Sequence, residues 1–222
     1  MAGLSPNPRP GAAPAAIATE WLFSRMSRPA TGRKKEAILD AAVVEIASHG
    51  YHGTTVAMIA RRAGVADGTI YLYFENKEQI LVSLFDRAMD RFVEQGAREL
   101  ARLPDAASRL RRIVELHLEL VGSDRDLAII TQVELRHSLH FLDQLSRAKV
   151  GAYLQAIAGV IADGQRAGLW RRDLEAPFLA KAVFGVLDEM ATDWVLSRRN
   201  TRLAARAEQV SRLLEGALRP PA

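Results

Sequence analysis

The sequence predicts an all-α protein in which a small N-terminal three-helix unit, built on a helix-turn-helix, precedes a larger helical body. Three observations carry this expectation. Apolar residues recur every three or four positions along most of the chain, and no stretch shows convincing strand alternation. Alanine, leucine and arginine dominate, while Gly (15) and Pro (9) are modest for 222 residues. Residues 63–81, AGVADGTIYLYFENKEQIL, set a glycine turn before two tyrosines that flank Leu72, and then a lysine that opens a strongly apolar helix. A chain of this length can bury one sizeable core, or a small domain joined to a larger one.

Residues 1–32 are rich in Pro, Gly, Ala and Ser, which bury too little surface to offset chain entropy, so a flexible arm is expected there. Trp21, Leu22 and Phe23 are the exception, since three adjacent large apolar groups could instead dock on the body. From Arg33 to Ser48 the set Ile38, Ala42, Val43 and Ile46 follows helical spacing, and Gly50 is a natural stop. Thr55 can cap a second helix with Val56, Ile59, Ala60 and Ala63 inward, ending at Gly64, which can take the positive φ of a sharp turn. A very short third helix is expected over about 66–73.

Asn76 with Gln79 three residues later resembles a capping box, and Leu81, Leu84, Phe85, Ala88 and Phe92 form the apolar stripe of a long fourth helix that Pro104 ends. Further helices are expected at about 105–121, 124–142, 144–167, 176–198 and 202–217, with breaks near Gly122, Gly168 and Asn200. The organisation is therefore an arm over 1–32, a helix-turn-helix unit over 33–77, and a larger helical body over 78–222.

Thirty basic and 26 acidic residues give a formal charge of +4 and a pI near 9.7, which permits a polyanionic partner without proving one. The distribution says more. Arg9, Arg25, Arg28, Arg33, Lys34 and Lys35 face only Glu20 over the first 35 residues. There is no cysteine, which excludes disulfides, thiolate metal sites and cysteine nucleophiles. No run reaches the roughly 18 apolar residues of a membrane span, and the start lacks a basic segment followed by a long apolar one. No membrane partner and a cytoplasmic location are expected.

Two short helices separated by a three-residue turn containing glycine make a helix-turn-helix, whose second member can enter the major groove. Ile70 and Phe74, four apart, would anchor that member inward. Gly68, Thr69, Tyr71, Leu72 and Tyr73 are then left outward, where phenolic hydroxyls can donate to phosphate oxygens and Thr69 can meet a base edge or a thymine methyl. Lys77 brings its charge to a helix N-terminus, a pairing suited to another phosphate, and Thr55 could act likewise. Arg33 and Lys34 extend the cationic side. Asp67, also on the DNA-facing side, would be repelled by phosphates unless it accepts from a cytosine amino group or favours the N-terminus of its own helix, and the helix role is the one expected.

The segment AILDAAVVEIASHGYHGTTVAMIARRAGVADGTIYLYFENKEQIL resembles the DNA-binding segment of TetR-type transcriptional repressors. That resemblance implies an all-helical homodimer that binds a double-stranded DNA operator and carries a C-terminal ligand pocket. Where the family often has Ser just before the recognition helix, this chain has Ala66. Residues 126–138, DLAIITQVELRHS, together with VADGTIYLYF and FGVLDEMATDWVL, are similar to the TetR-type repressors of fatty-acid degradation. This likeness implies release from DNA by a long-chain acyl-CoA effector, with no cofactor.

Such a ligand asks for an elongated apolar channel and for cationic groups near its phosphates. Phe92, Leu116, Leu120, Ile130, Val133 and Phe141 are candidates for the channel, though apolar helix faces commonly become solid core. Arg109, Arg111, Arg112 and Arg136 are candidates for the phosphates. Glu134, His137 and His140 fall at helical spacing that could meet a metal, but a di-metal bundle needs a second Glu-x-x-His, so a buried polar network is expected instead and no metal. His117 is expected to be packed or partly solvated.

Phe184, Leu187, Met190, Ala191, Trp194 and Val195 recur at helical spacing and suit a two-fold four-helix interface; the alternative is intramolecular core. Two reading helices would then meet half-sites about 34–36 Å apart on a palindrome. Two rivals remain: a repressor answering another apolar molecule such as a drug or signal, and an acyl-group enzyme. For the enzyme there is no Cys, no G-x-S-x-G elbow and no phosphate loop, so no catalytic residues are expected.

Overall fold

The computed structural model describes residues 30–133, 147–197 and 201–221. The chain divides into two units, 1–37 and 38–222. Within the first, residues 30–37 are helical, three residues earlier than Arg33, and Arg33 and Lys34 are exposed. Residues 1–29, with Trp21, Leu22 and Phe23, lie outside the described residues.

Every regular element described is helical. Helix α1 spans Ala30–Gly53 and breaks at Gly50 (φ 72°), where the sequence places its stop. Its inner stripe, Ile38, Ala42, Val43 and Ile46, is buried. Helix α2, Val56–Ala63, begins at Thr55, whose Oγ1 accepts from the Met58 N–H at 3.2 Å. It ends at Gly64, whose φ of 67° lies in the left-handed region that a Cβ disfavours. Helix α3, Asp67–Ile70, is one turn long and has no side-chain cap at Ala66. Phe74 continues it through a bond from its N–H to the Ile70 carbonyl at 3.0 Å, so the apolar anchors Ile70 and Phe74 share one face, 1% and 2% exposed.

Helix α4, Lys77–Leu100, is capped by Asn76, whose Oδ1 accepts from the Gln79 N–H at 2.8 Å. The return bond of the expected capping box is displaced: Gln79 Oε1 accepts from Glu75 N–H at 2.6 Å, one residue before the cap. Helix α5, Ala106–Gly122, starts at Asp105, whose carboxylate accepts from both the N–H and the hydroxyl of Ser108 at 2.8 Å. Helix α6, Arg125–Gln132, is capped by Asp124 and followed by Val133, and residues 134–142 of the helix expected there lie outside the described residues. Helices α7, Arg147–Arg166, and α8, Ala176–Leu196, follow, then a 3-10 turn, Leu203–Arg206, and α9, Ala207–Leu218.

Two apolar clusters organise these helices. The first joins α1 to α3 with the start of α4, through Leu84, and takes Ile130 from α6. The second runs from Met89 through α5, α7, α8 and α9, with α5 packed against α4, α6, α7, α8 and α9. Phe85 packs against both clusters, so α4 is a wall of each. A long helix shared in this way moves as one body, because breaking its ladder midway would leave backbone groups unpaired.

The helical spacing of α8 has a different outcome from the expected subunit interface. Leu187 and Ala191 are 0% exposed, Val195 8% and Trp194 9%, all within the protomer's larger cluster. Buried that deeply, they cannot meet a second chain without unpacking the first, so the intramolecular alternative holds for them. Phe184 is partly buried against the same cluster and faces a chamber described below.

Candidate nucleic-acid interface and ligand chambers

The two tyrosines of the opening motif diverge. Tyr71 and Leu72, 58% and 80% exposed, stand outward on the turn after α3. Tyr73 is half-buried against the N-terminal cluster, with only part of its surface available. Asp67 and Gly68 are exposed and Thr69 is half-buried; Asp67 sits in the first turn of α3, where its charge complements the helix dipole. An exposed Thr55 uses its oxygen as an acceptor for the α2 cap, which leaves its hydroxyl hydrogen free to donate outward. This surface offers hydroxyls, an apolar contact and a glycine backbone within two turns of chain, a set suited to phosphates and base edges.

Lys77 is engaged elsewhere. Its Nζ donates to the carbonyls of Tyr51 and Thr54, each at 2.7 Å, and sits 4.3 Å from the centre of the Tyr51 ring. Two of its three ammonium hydrogens are thereby committed inside the protein, and burial lowers its pKa. The expected phosphate contact gives way to a structural one: Lys77 fastens the start of α4 to the segment between α1 and α2.

Two apolar chambers lie beside α4. The first, a cavity of about 100 Å³, lies among α4, α5, α6, α7 and α8; Phe85, Met89 and Phe92 form one wall, and Leu120, Tyr153 and Phe184 close it. A second chamber of about 120 Å³ is lined by Val93, Leu100, Ile113 and Leu116, with Gly96 of α4 also in its wall. Phe92, His117 and Tyr153 line both.

Of the expected channel residues, Phe92, Leu116 and Leu120 therefore line a chamber. Ile130, 0% exposed, belongs to the N-terminal cluster and lines neither, because the short α6 turns it toward α1 to α4. Val133 packs against the larger cluster and likewise lines neither. Arg136 and Phe141, with Glu134, His137 and His140, lie outside the described residues.

The expected phosphate cations on α5 are paired within the protein. Arg109 donates to the Leu103 carbonyl and to Asp163, both at 3.1 Å. Arg112 binds Glu99, Glu115 at 3.0 Å and Glu119 at 2.9 Å, a set of hydrogen-bonded carboxylates that raises its pKa and holds Glu99 below the ordinary carboxylate value. Arg111 pairs with Glu215 at 3.2 Å. Neither chamber has a Lys or Arg among its described lining residues, so these side chains brace α5 from outside.

His117 is the residue that spacing undervalues. It is 5% exposed, its Nδ1 lies 2.9 Å from the Tyr153 hydroxyl, and desolvation pushes its pKa down from 6.5 to about 4. Burial raises the Tyr153 phenol in turn. Phe92 and Phe184 flank the pair, with ring centres 5.2 and 6.3 Å from the imidazole. The signal was present: Leu110, Ile113, Val114 and His117 fall at i, i+3, i+4 and i+7, one inward stripe.

With this geometry in view, likeness to known proteins is informative. Residues 38–84 match the family described as bacterial regulatory proteins, tetR family, and residues 85–217 match the YsiA-like protein, C-terminal region. The chain is 40% identical, over 80% of its length and 91% of the relative's, to the fatty acid metabolism regulator protein of Bacillus subtilis. The crystal structure of FadR from Bacillus subtilis in complex with stearoyl-CoA superposes with a TM-score of 0.78 at 38% identity, covering 82% of this chain and 98% of that one. FadR from Bacillus halodurans gives a TM-score of 0.79 at 40% identity, covering 84% and 96%.

Proposed function

Because the chain belongs to the TetR family of bacterial regulatory proteins, we infer that it is a transcriptional repressor that binds a palindromic operator as a homodimer and leaves it on binding long-chain acyl-CoA. The regulated genes are those of fatty-acid degradation. The protein acts by binding and not by catalysis, needs no cofactor, and works in the cytoplasm; no described helix is long and apolar enough to cross a membrane. Residues 33–77 carry the reading unit and 78–222 the sensing and dimerising body, with α4 serving both.

At the DNA, Tyr71, Leu72 and Thr69 face the groove, Gly68 lets the backbone approach, and Tyr73 offers its partly open hydroxyl. Thr55, Arg33 and Lys34 meet phosphates, while Asp67 supports α3. For the second subunit, a face of α8 opposite the buried stripe replaces the one first expected. Phe178 and Leu196, 59% and 68% exposed, share it with the small residues Ala182 and Gly185, and Leu213 of α9 adds another exposed apolar group at 61%. Small residues between large apolar ones let two helices approach closely.

The observation that carries the reading is the course of α4. It starts at Lys77, fastened to the reading unit by two 2.7 Å bonds, and from Phe85 to Leu100 it lines both apolar chambers. A tail that fills the chambers must displace side chains of α4, so ligand and operator compete through one element. The test is a selection of operator from random DNA, followed by release measured with palmitoyl-CoA, free palmitate and CoA. Palmitoyl-CoA alone should dissociate the complex. Release by no acyl-CoA of any chain length would leave a repressor answering a different apolar molecule.

A further inference from the structure

His117 stands where the two chambers meet, since it lines both together with Phe92 and Tyr153. Its Nε2 is buried and has no hydrogen-bond partner among the described residues. The protonation pattern follows from counting donors. If Nδ1 carried the hydrogen, it would donate to the Tyr153 hydroxyl, leaving both the phenolic hydrogen and the bare Nε2 unsatisfied. If the phenol donates to Nδ1 across the observed 2.9 Å, a single group is left over, an Nε2–H. A lone buried donor is costly unless something arrives to accept from it.

The chambers differ in chemistry on either side of that donor. Apart from His117 and Tyr153, the second is lined by apolar side chains such as Val93, Leu100 and Leu116. The first adds Asp124, Thr131, Gln132 and Asp188. An amphiphile therefore lays its hydrocarbon in the second and its polar arm in the first, with the junction at the imidazole. With no described cation in either lining and two carboxylates in the first, the junction suits an uncharged acceptor and disfavours an anion.

In an acyl-CoA the uncharged acceptor at the junction of tail and arm is the thioester carbonyl. We propose that His117, oriented by Tyr153, donates from Nε2 to the thioester carbonyl oxygen and is the residue that separates acyl-CoA from free fatty acid and from amphiphiles lacking that oxygen. This rests on the acyl-CoA reading above and adds the group within the cavity that selects it.

The test compares palmitoyl-CoA with S-hexadecyl-CoA, which has a methylene in place of the carbonyl, by calorimetric titration of the full-length protein. The wild type should bind the thioester about tenfold more tightly, the range of one buried hydrogen bond. His117→Phe should lose the preference and bind both ligands alike. His117→Asn, smaller and still a donor, should keep part of the preference and covers the case in which the phenylalanine variant does not fold. Equal binding of the two ligands by the wild type, or an undiminished preference in His117→Phe, overturns the assignment while leaving the acyl-CoA reading intact. Binding of neither ligand overturns both.

Discussion

The ammonium of Lys77 donates at 2.7 Å to the carbonyl of Thr54, the residue just before the cap of α2, so the first residue of α4 holds the entry to the reading unit. Thr54 itself is 1% exposed and donates its hydroxyl to the Glu45 carbonyl at 3.0 Å, which makes the junction a buried network. Lys77→Met should take the ammonium from the Thr54 carbonyl, leave the Tyr51 carbonyl with the Thr54 N–H at 3.3 Å alone, and lose the contact with the Tyr51 ring. A destabilisation of about 1–3 kcal/mol is expected in urea unfolding. Operator affinity should fall while palmitoyl-CoA affinity stays, because the chambers begin two turns further along α4. Equal loss of both affinities would show that Lys77 supports the whole molecule and not the coupling.

The exposed turn after α3 and the anchors beneath it should separate cleanly. Tyr71→Ala and Leu72→Ala remove side chains that are largely solvated, so stability should move by no more than about 0.5 kcal/mol. Operator binding should weaken in both. Phe74→Ala empties a site that is 2% exposed and should cost about 3–5 kcal/mol, measured by thermal or urea unfolding. Full operator affinity in the Tyr71 and Leu72 double variant would remove this surface from the DNA.

What the residues announce and what they conceal divide along one physical line. Local signals were legible: Thr55 and Asn76 cap as their side chains require, Gly50 and Gly64 stop helices, and Ile70 and Phe74 anchor a one-turn helix. Which neighbour a stripe faces was not legible, because periodicity gives a direction on one helix and no partner. Leu187 and Ala191 read equally well as subunit interface or core, and Ile130 as chamber wall or core. Cations were misread for the same reason. Arg109 and Arg112 are available on sequence, yet Asp163 and Glu119, 54 and 7 residues away, occupy them.

The exposed face of α8 and the buried one give opposite outcomes when altered. Gly185→Arg places a long charged chain between Phe178 and Leu196 on the outer face, where the protomer has room: a Cβ there meets nothing within 4 Å. Native mass spectrometry should then find monomer with its helical content intact. Leu187→Ala, at a position 0% exposed, should instead destabilise by about 2–5 kcal/mol without separating subunits first. A Gly185→Arg protein that remains dimeric would move the interface off this face.

Burial of His117 also sets a pH dependence of stability. Its pKa is about 4 in the folded chain against 6.5 when solvated. At neutral pH neither state binds the proton, so the group contributes nothing. As pH falls below about 6.5 the unfolded chain takes up a proton that the folded one refuses, and unfolding becomes progressively more favourable until about pH 4, where the native ring also protonates. The full effect is on the order of 3 kcal/mol. His117→Phe should remove this slope, so that its stability curve is flatter than the wild type's between pH 6.5 and 4, even where its absolute stability is lower. Because the folded ring stays neutral down to about pH 4 whether or not an acceptor sits on its Nε2–H, the preference for palmitoyl-CoA over S-hexadecyl-CoA should hold across the same acid window in wild type and fade only below it.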